Sequence, residues 1–114
     1  MDTQSTGGRL SPLNIDDPLL RAELFREIRQ AQENPSKLDG DYWGSYTIQV
    51  ADVLFPELVA YKIYGLDTLK WVITVATGLD DTRDKMEAGT VIYVPTAAYL
   101  RERIKHYTEM ANIG

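Results

Sequence analysis

PELVAYKIYGLDTLKWVITVATGLDDTRDKMEAGTVIYVP, residues 56–95, is the stretch whose reading decides the fold. Phe55 precedes a proline and is held extended, so a helix opens at Pro56 and runs to about Tyr64. Gly65 ends it as a left-handed cap. Asp67, helped by Thr68, caps a second helix, in which Leu69, Val72, Ile73 and Ala76 follow the i, i+3, i+4, i+7 pattern of a buried stripe. Trp71 and Val75 fall roughly 200–240° around the helix from Leu69 and stack on each other at i and i+4. The helix therefore carries a second apolar face, which meets either the N-terminal helix or another protein. Gly78 ends it, and Leu79 to Glu87 form an acidic turn region. Glu87-Ala88-Gly89 turns the chain into the strand Thr90–Val94, which Pro95 stops. That strand is almost continuously apolar, which implies burial on both faces or an aromatic-rich edge.

Upstream, Tyr46-Thr47-Ile48-Gln49-Val50 alternates and is rich in strand formers, with Tyr46, Ile48 and Val50 expected on one face. Residues 36–45 form a turn-rich linker in which Tyr42 and Trp43 stand side by side between Gly40 and Gly44, as core plugs or contact anchors. Asp17 and Pro18 start a further helix, with Leu20, Leu24, Ile28 and Ala31 at helical spacing and Leu19 and Phe25 widening the face. Pro35 stops it near Glu33. Residues 1–15 are polar and carry Gly7, Gly8 and Pro12, which makes them a flexible arm on their own: either a disordered terminus or an arm that orders on a partner. The tail is helical from about Thr96 to Met110, with Leu100, Ile104, Tyr107 and Ala111 as its stripe. The chain thus divides into an arm (1–15), an N-terminal helix and linker (16–45), a strand–helix–helix–strand core (46–95) and a C-terminal helix (96–114), an α+β fold.

With 114 residues, 44% of them hydrophobic, the chain supports one small core. It has no cysteine, which removes disulfides and thiolate metal sites. His106 is the single histidine; it sits off the apolar stripe four residues after Glu102 and reads as a solvated helix residue. A net charge of −5 argues against binding along a nucleic-acid backbone. No apolar run reaches the roughly 18 residues of a membrane span, and the first residues lack a signal-peptide pattern. Asp80, Asp81, Asp84 and Glu87 do not match a calcium loop, and capping and solubility explain them better. No phosphate loop and no nucleophile beside an oriented base stand out. We therefore expect no catalytic residue, metal or cofactor, and a protein that works by holding others together.

The order strand, helix, helix, strand resembles the LysM fold, in which two helices pack on one side of a two-stranded antiparallel sheet. Tyr46–Val50 is similar to its first strand, Leu66-Asp67-Thr68-Leu69 to its DTL phrase, though displaced, and Ala88–Pro95 to its closing strand. Residues 46–95 more closely resemble the baseplate wedge proteins of contractile-tailed phages, through Pro56–Gly65, Leu69, Trp71-Val72-Ile73 and the AGTVIYVP ending. Two positions depart from that pattern: Lys70 precedes Trp71 where a second tryptophan is common, and Thr77-Gly78 replace Asn-Pro. The resemblance implies a virion protein of the tail baseplate, assembled in the host cytoplasm. It would join wedge, hub or tube, and sheath-proximal proteins, in multiple copies of a symmetric assembly, with no nucleic-acid or membrane partner. Trp71, Val75, Tyr42, Trp43 and Tyr93 are the candidate contact residues. The alternative that the LysM resemblance implies is a module binding peptidoglycan; the loss of the Asn-Pro asparagine makes it the lesser one.

Overall fold

The computed structural model describes residues 11–15, 17–78 and 86–113. Residues 1–10 of the expected arm, and Asp80, Asp81 and Asp84 of the acidic turn, lie outside the described residues. Among those described, four α-helices surround one two-stranded antiparallel sheet: α1 (Pro18–Glu33), β1 (Trp43–Thr47), α2 (Pro56–Tyr64), α3 (Lys70–Thr77), β2 (Val91–Pro95) and α4 (Ala97–Ile113). The α+β order strand–helix–helix–strand is present from β1 to β2, with α1 before it and α4 after it.

The helix ends follow local chemistry. The Asp17 carboxylate accepts the Leu19 N–H at 2.9 Å and Pro18 takes the first turn, so α1 starts where its free amides are satisfied. Gly65 (φ 75°) and Gly78 (φ 74°) end α2 and α3 in the left-handed region, where a Cβ is strained. The start of α3 differs from expectation. Asp67 makes no capping bond; Asp67–Leu69 form a tight 3-10 turn that buries Leu69 and leads into the helix.

β1 also differs. It spans 43–47 rather than 46–50, because its partner decides its extent: Trp43 lies opposite Pro95 and Thr47 opposite Val91. Pairing overrides the poor strand propensity of Gly44 and Ser45. The expected face of Tyr46, Ile48 and Val50 holds for two residues only. Ile48 is buried and Tyr46 half-buried, but the chain turns into a 3-10 helix at Val50–Asp52, leaving Val50 81% exposed.

The core is one continuous cluster. Val59, Ala60, Leu69, Val72, Ile73 and Ala76 from α2, α3 and the turn between them meet Ile48, Ile92 and Val94 of the sheet region. In β2, Ile92 and Val94 are buried, Tyr93 is half-buried and Val91 is exposed, so burial is one-sided until Pro95. Leu24 and Ile28 of α1 and Leu100, Ile104 and Tyr107 of α4 extend the same core. Each fully buried Val, Leu or Ile side chain among them contributes about 1.5–3 kcal/mol.

The last residues of the expected arm, 11–15, are folded. Pro12–Asn14 form a 3-10 turn and Ile15 is completely buried. Arg21 donates twice to the Ile15 carbonyl, at 3.3 and 3.2 Å, and the Thr108 hydroxyl donates to the Asn14 carbonyl. An apolar residue after a proline turn is enough to pin this segment onto α1 and α4.

Candidate interaction surface

α1 packs on α3, on β2 and on α4. This placement covers the second apolar face of α3. Phe25 of α1 meets Trp71 with ring centroids 5.8 Å apart, and Trp71 and Val75 are half-buried against the core. Of the two occupants that the angular argument left open, the N-terminal helix is there. Tyr93 is half-buried, and the Gln32 side chain of α1 takes both its main-chain groups, donating to the carbonyl at 2.7 Å and accepting the N–H at 2.8 Å. Trp43 is half-buried and tilted against Tyr99 of α4, centroids 5.9 Å apart. Tyr42 stacks on Tyr99 at 4.9 Å and stays 47% exposed. Of the five sequence candidates, Tyr42 is thus the most available to a partner.

The larger apolar exposure lies in the β1–α2 connection, which the sequence reading did not single out. Val50, Leu54 and Phe55 are about half exposed or more, and Tyr61 of α2 is exposed as well. A buried carboxylate braces this corner. The Asp52 side chain is completely buried; its Oδ2 accepts the Tyr46 hydroxyl at 2.5 Å and the Gln49 N–H at 2.9 Å, and its Oδ1 accepts Lys62 Nζ at 2.8 Å. Gln49 and Asp52 also cap each other, each side chain taking the other's backbone. Burial alone would push the Asp52 carboxyl up; the Lys62, Tyr46 and Gln49 bonds outweigh it and hold it below its ordinary value. The Asp52 bond lifts Lys62 above the usual lysine range, and burial followed by the same carboxylate raises Tyr46. The QVAD spacing, with two side chains three residues apart, is the only trace of this network in the sequence.

A second polar clasp holds α4. Arg103 Nη2 lies 2.7 Å from Glu27 Oε2 of α1, its Nε also reaches that carboxylate, and the Tyr107 hydroxyl donates to the same Oε2. Both ions keep about a quarter of their side chains exposed. Pairing with Glu27 raises Arg103 further above its ordinary value, and burial followed by the Glu27 bond raises Tyr107. Tyr64, pushed up by burial, donates to the Pro95 carbonyl at 2.6 Å and ties α2 to the end of β2. His106 is exposed on α4, its ring steeply inclined to that of Tyr107 with centroids 5.1 Å apart.

No family model, curated protein or solved structure matches this chain. Among the described residues no three acidic or histidine side chains are grouped to hold a metal ion, and no helix is long and apolar enough to cross a membrane. The polar networks around Asp52 and Glu27 are internally satisfied and join elements of the fold, so what they supply is rigidity. What the surface offers is apolar area on a braced corner.

Proposed function

We propose that this protein is an adhesive structural component, a baseplate protein of a contractile phage tail that joins its neighbours by protein–protein contact. The observation that carries the reading is the exposed corner of Val50, Leu54 and Phe55, braced by the hydrogen bonds and ion pair of the buried Asp52. Large apolar side chains grouped in water on a rigid frame are typical of surfaces that a partner covers. Preorganisation matters here, because a loop already fixed loses little further entropy on docking. The resemblance of residues 46–95 to wedge proteins supplies the particular assembly.

The test is made in tail particles. Mass spectrometry of tails purified from cells producing the chain is expected to find it at a fixed ratio to tube and sheath proteins. The double variant Val50→Asp, Leu54→Asp is expected to fold normally, to be absent from particles and to leave baseplates incomplete. Normal incorporation of that variant would contradict the reading. So would saturable retention of the wild type on purified cell wall, which would favour a peptidoglycan-binding module instead.

A further inference from the structure

The two edges of the sheet are treated differently. Thr96 N–H donates to the Tyr42 carbonyl and Ile48 N–H to the Thr90 carbonyl, both at 2.8 Å. With the antiparallel register, these bonds place the main-chain groups of residues 44 and 46 toward β2 and those of 43, 45 and 47 toward the outside. By the same alternation Tyr93 and Pro95 face outward on β2. That edge is closed: Gln32 occupies both groups of Tyr93, Tyr64 occupies the Pro95 carbonyl, and Pro95 has no N–H.

The edge of β1 is closed only at its ends. Trp43 N–H donates to the Asp39 carbonyl at 3.0 Å, and Gln49 Nε2 donates to the Thr47 carbonyl at 2.9 Å. Between them, Trp43 C=O, Ser45 N–H, Ser45 C=O and Thr47 N–H have no partner among the described residues. Gly44, Ser45 and Thr47 are exposed. No lysine, proline or bulge guards this stretch, the devices that ordinarily blunt a sheet edge.

The four free groups form a self-complementary set. A two-fold axis through Ser45 sets each free acceptor against a free donor of a second copy: Ser45 N–H meets Ser45 C=O in both directions, and each Thr47 N–H meets the other copy's Trp43 C=O. The end groups already used locally are the two that this pairing would place opposite each other. On one face the pairing sets Tyr46 across from Gly44, which carries no side chain and has open space around its Cβ position. A hollow of about 270 Å³ lined by Gly44, Ile63, Tyr64 and Val94 lies on that side. We infer that β1 is a homotypic docking edge, pairing antiparallel with β1 of a second copy about Ser45 to give a four-stranded sheet.

The contact is short, and each copy carries a charge of −5, so the dimer is weak and strengthens as salt screens the repulsion. Sedimentation velocity of the full chain is expected to show a dimer fraction that rises with concentration and with salt. Ser45→Pro removes two of the four backbone bonds and is expected to weaken the dimer about tenfold or more, with unchanged circular dichroism. If that variant does not fold, Ser45→Lys and Ser45→Asp serve, since both alter only an exposed side chain. Each alone is expected to be monomeric, because like charges meet at the axis, and their equimolar mixture to dimerise. A wild type that stays monomeric to about 1 mM overturns the inference. So does a dimer that neither charged variant disturbs, or a mixture that fails to restore pairing.

Discussion

Replacing Asp52 by alanine tests whether one buried carboxylate braces the β1–α2 corner. The substitution removes the acceptor for three donors, the Tyr46 hydroxyl, the Gln49 N–H and Lys62 Nζ. A hydrogen bond to a charged group is worth about 1.5–3 kcal/mol net. The three are not additive, and Lys62, whose side chain is 40% exposed, can turn to water. The expected loss is therefore about 2–4 kcal/mol, less than the sum. For a domain of this size that is a fall in Tm of roughly 10–20 °C. Urea unfolding at pH 7, followed by fluorescence, reads the free energy directly. The pH profile gives an independent check. The folded Asp52 carboxyl titrates below its ordinary value. Its contribution is complete above the unfolded value of about 4 and is lost as pH falls through the folded one. Lys62 and Tyr46 titrate above their ordinary values, so their contributions hold below about 10 and are lost as pH rises through the folded ones. The wild type is thus expected to hold this stability between about pH 5 and 9, and Asp52→Ala to show a shallower acid limb. A loss below about 0.5 kcal/mol, the range of an ordinary surface change, or coincident acid limbs would refute the bracing argument.

Three further substitutions probe the packing. Trp71→Ala removes the ring that faces Phe25 and is expected to destabilise folding by about 2–4 kcal/mol; a stable variant that merely lost partner binding would show Trp71 to be an anchor instead. Arg103→Met leaves Glu27 and Tyr107 without their cation and is expected to cost about 1–3 kcal/mol, with faster amide exchange across residues 97–113 before the core; uniform exchange over the whole chain would mean the clasp does not act on α4 separately. Gly65→Ala forces a Cβ into the left-handed region and is expected to cost about 1–2 kcal/mol by thermal unfolding, whereas no loss would put the cap geometry in error.

The helices were legible because their signals are local: Asp17-Pro18, Pro56, Gly65 and Gly78 mark ends within one turn of where they act. β1 was displaced by three residues because its limits depend on a partner nearly fifty residues away in the chain, and Val50 left the strand because Gln49 and Asp52 cap a turn there. The spare face of α3 could be computed from angles alone, but that Phe25 covers it depends on where α1 docks. The two polar networks were illegible for the same reason. Lys62 is ten residues from Asp52, and Arg103 is 76 from Glu27, and nothing in the composition pairs them. The exposed corner was missed because an alternating pattern through Tyr46, Ile48 and Val50 reads as one buried face until the turn is known.

The central claim, that the Val50–Phe55 corner is a contact surface in a tail assembly, is tested most directly by a photo-cross-linking amino acid placed at position 50. The protein would be produced in cells assembling tails, and the adducts in purified particles identified by mass spectrometry. The account predicts a discrete adduct with a neighbouring baseplate protein, absent when a buried position such as Val59 carries the probe. Particles containing the chain with position 50 free of adducts, or adducts only to cell-wall fragments, would contradict it.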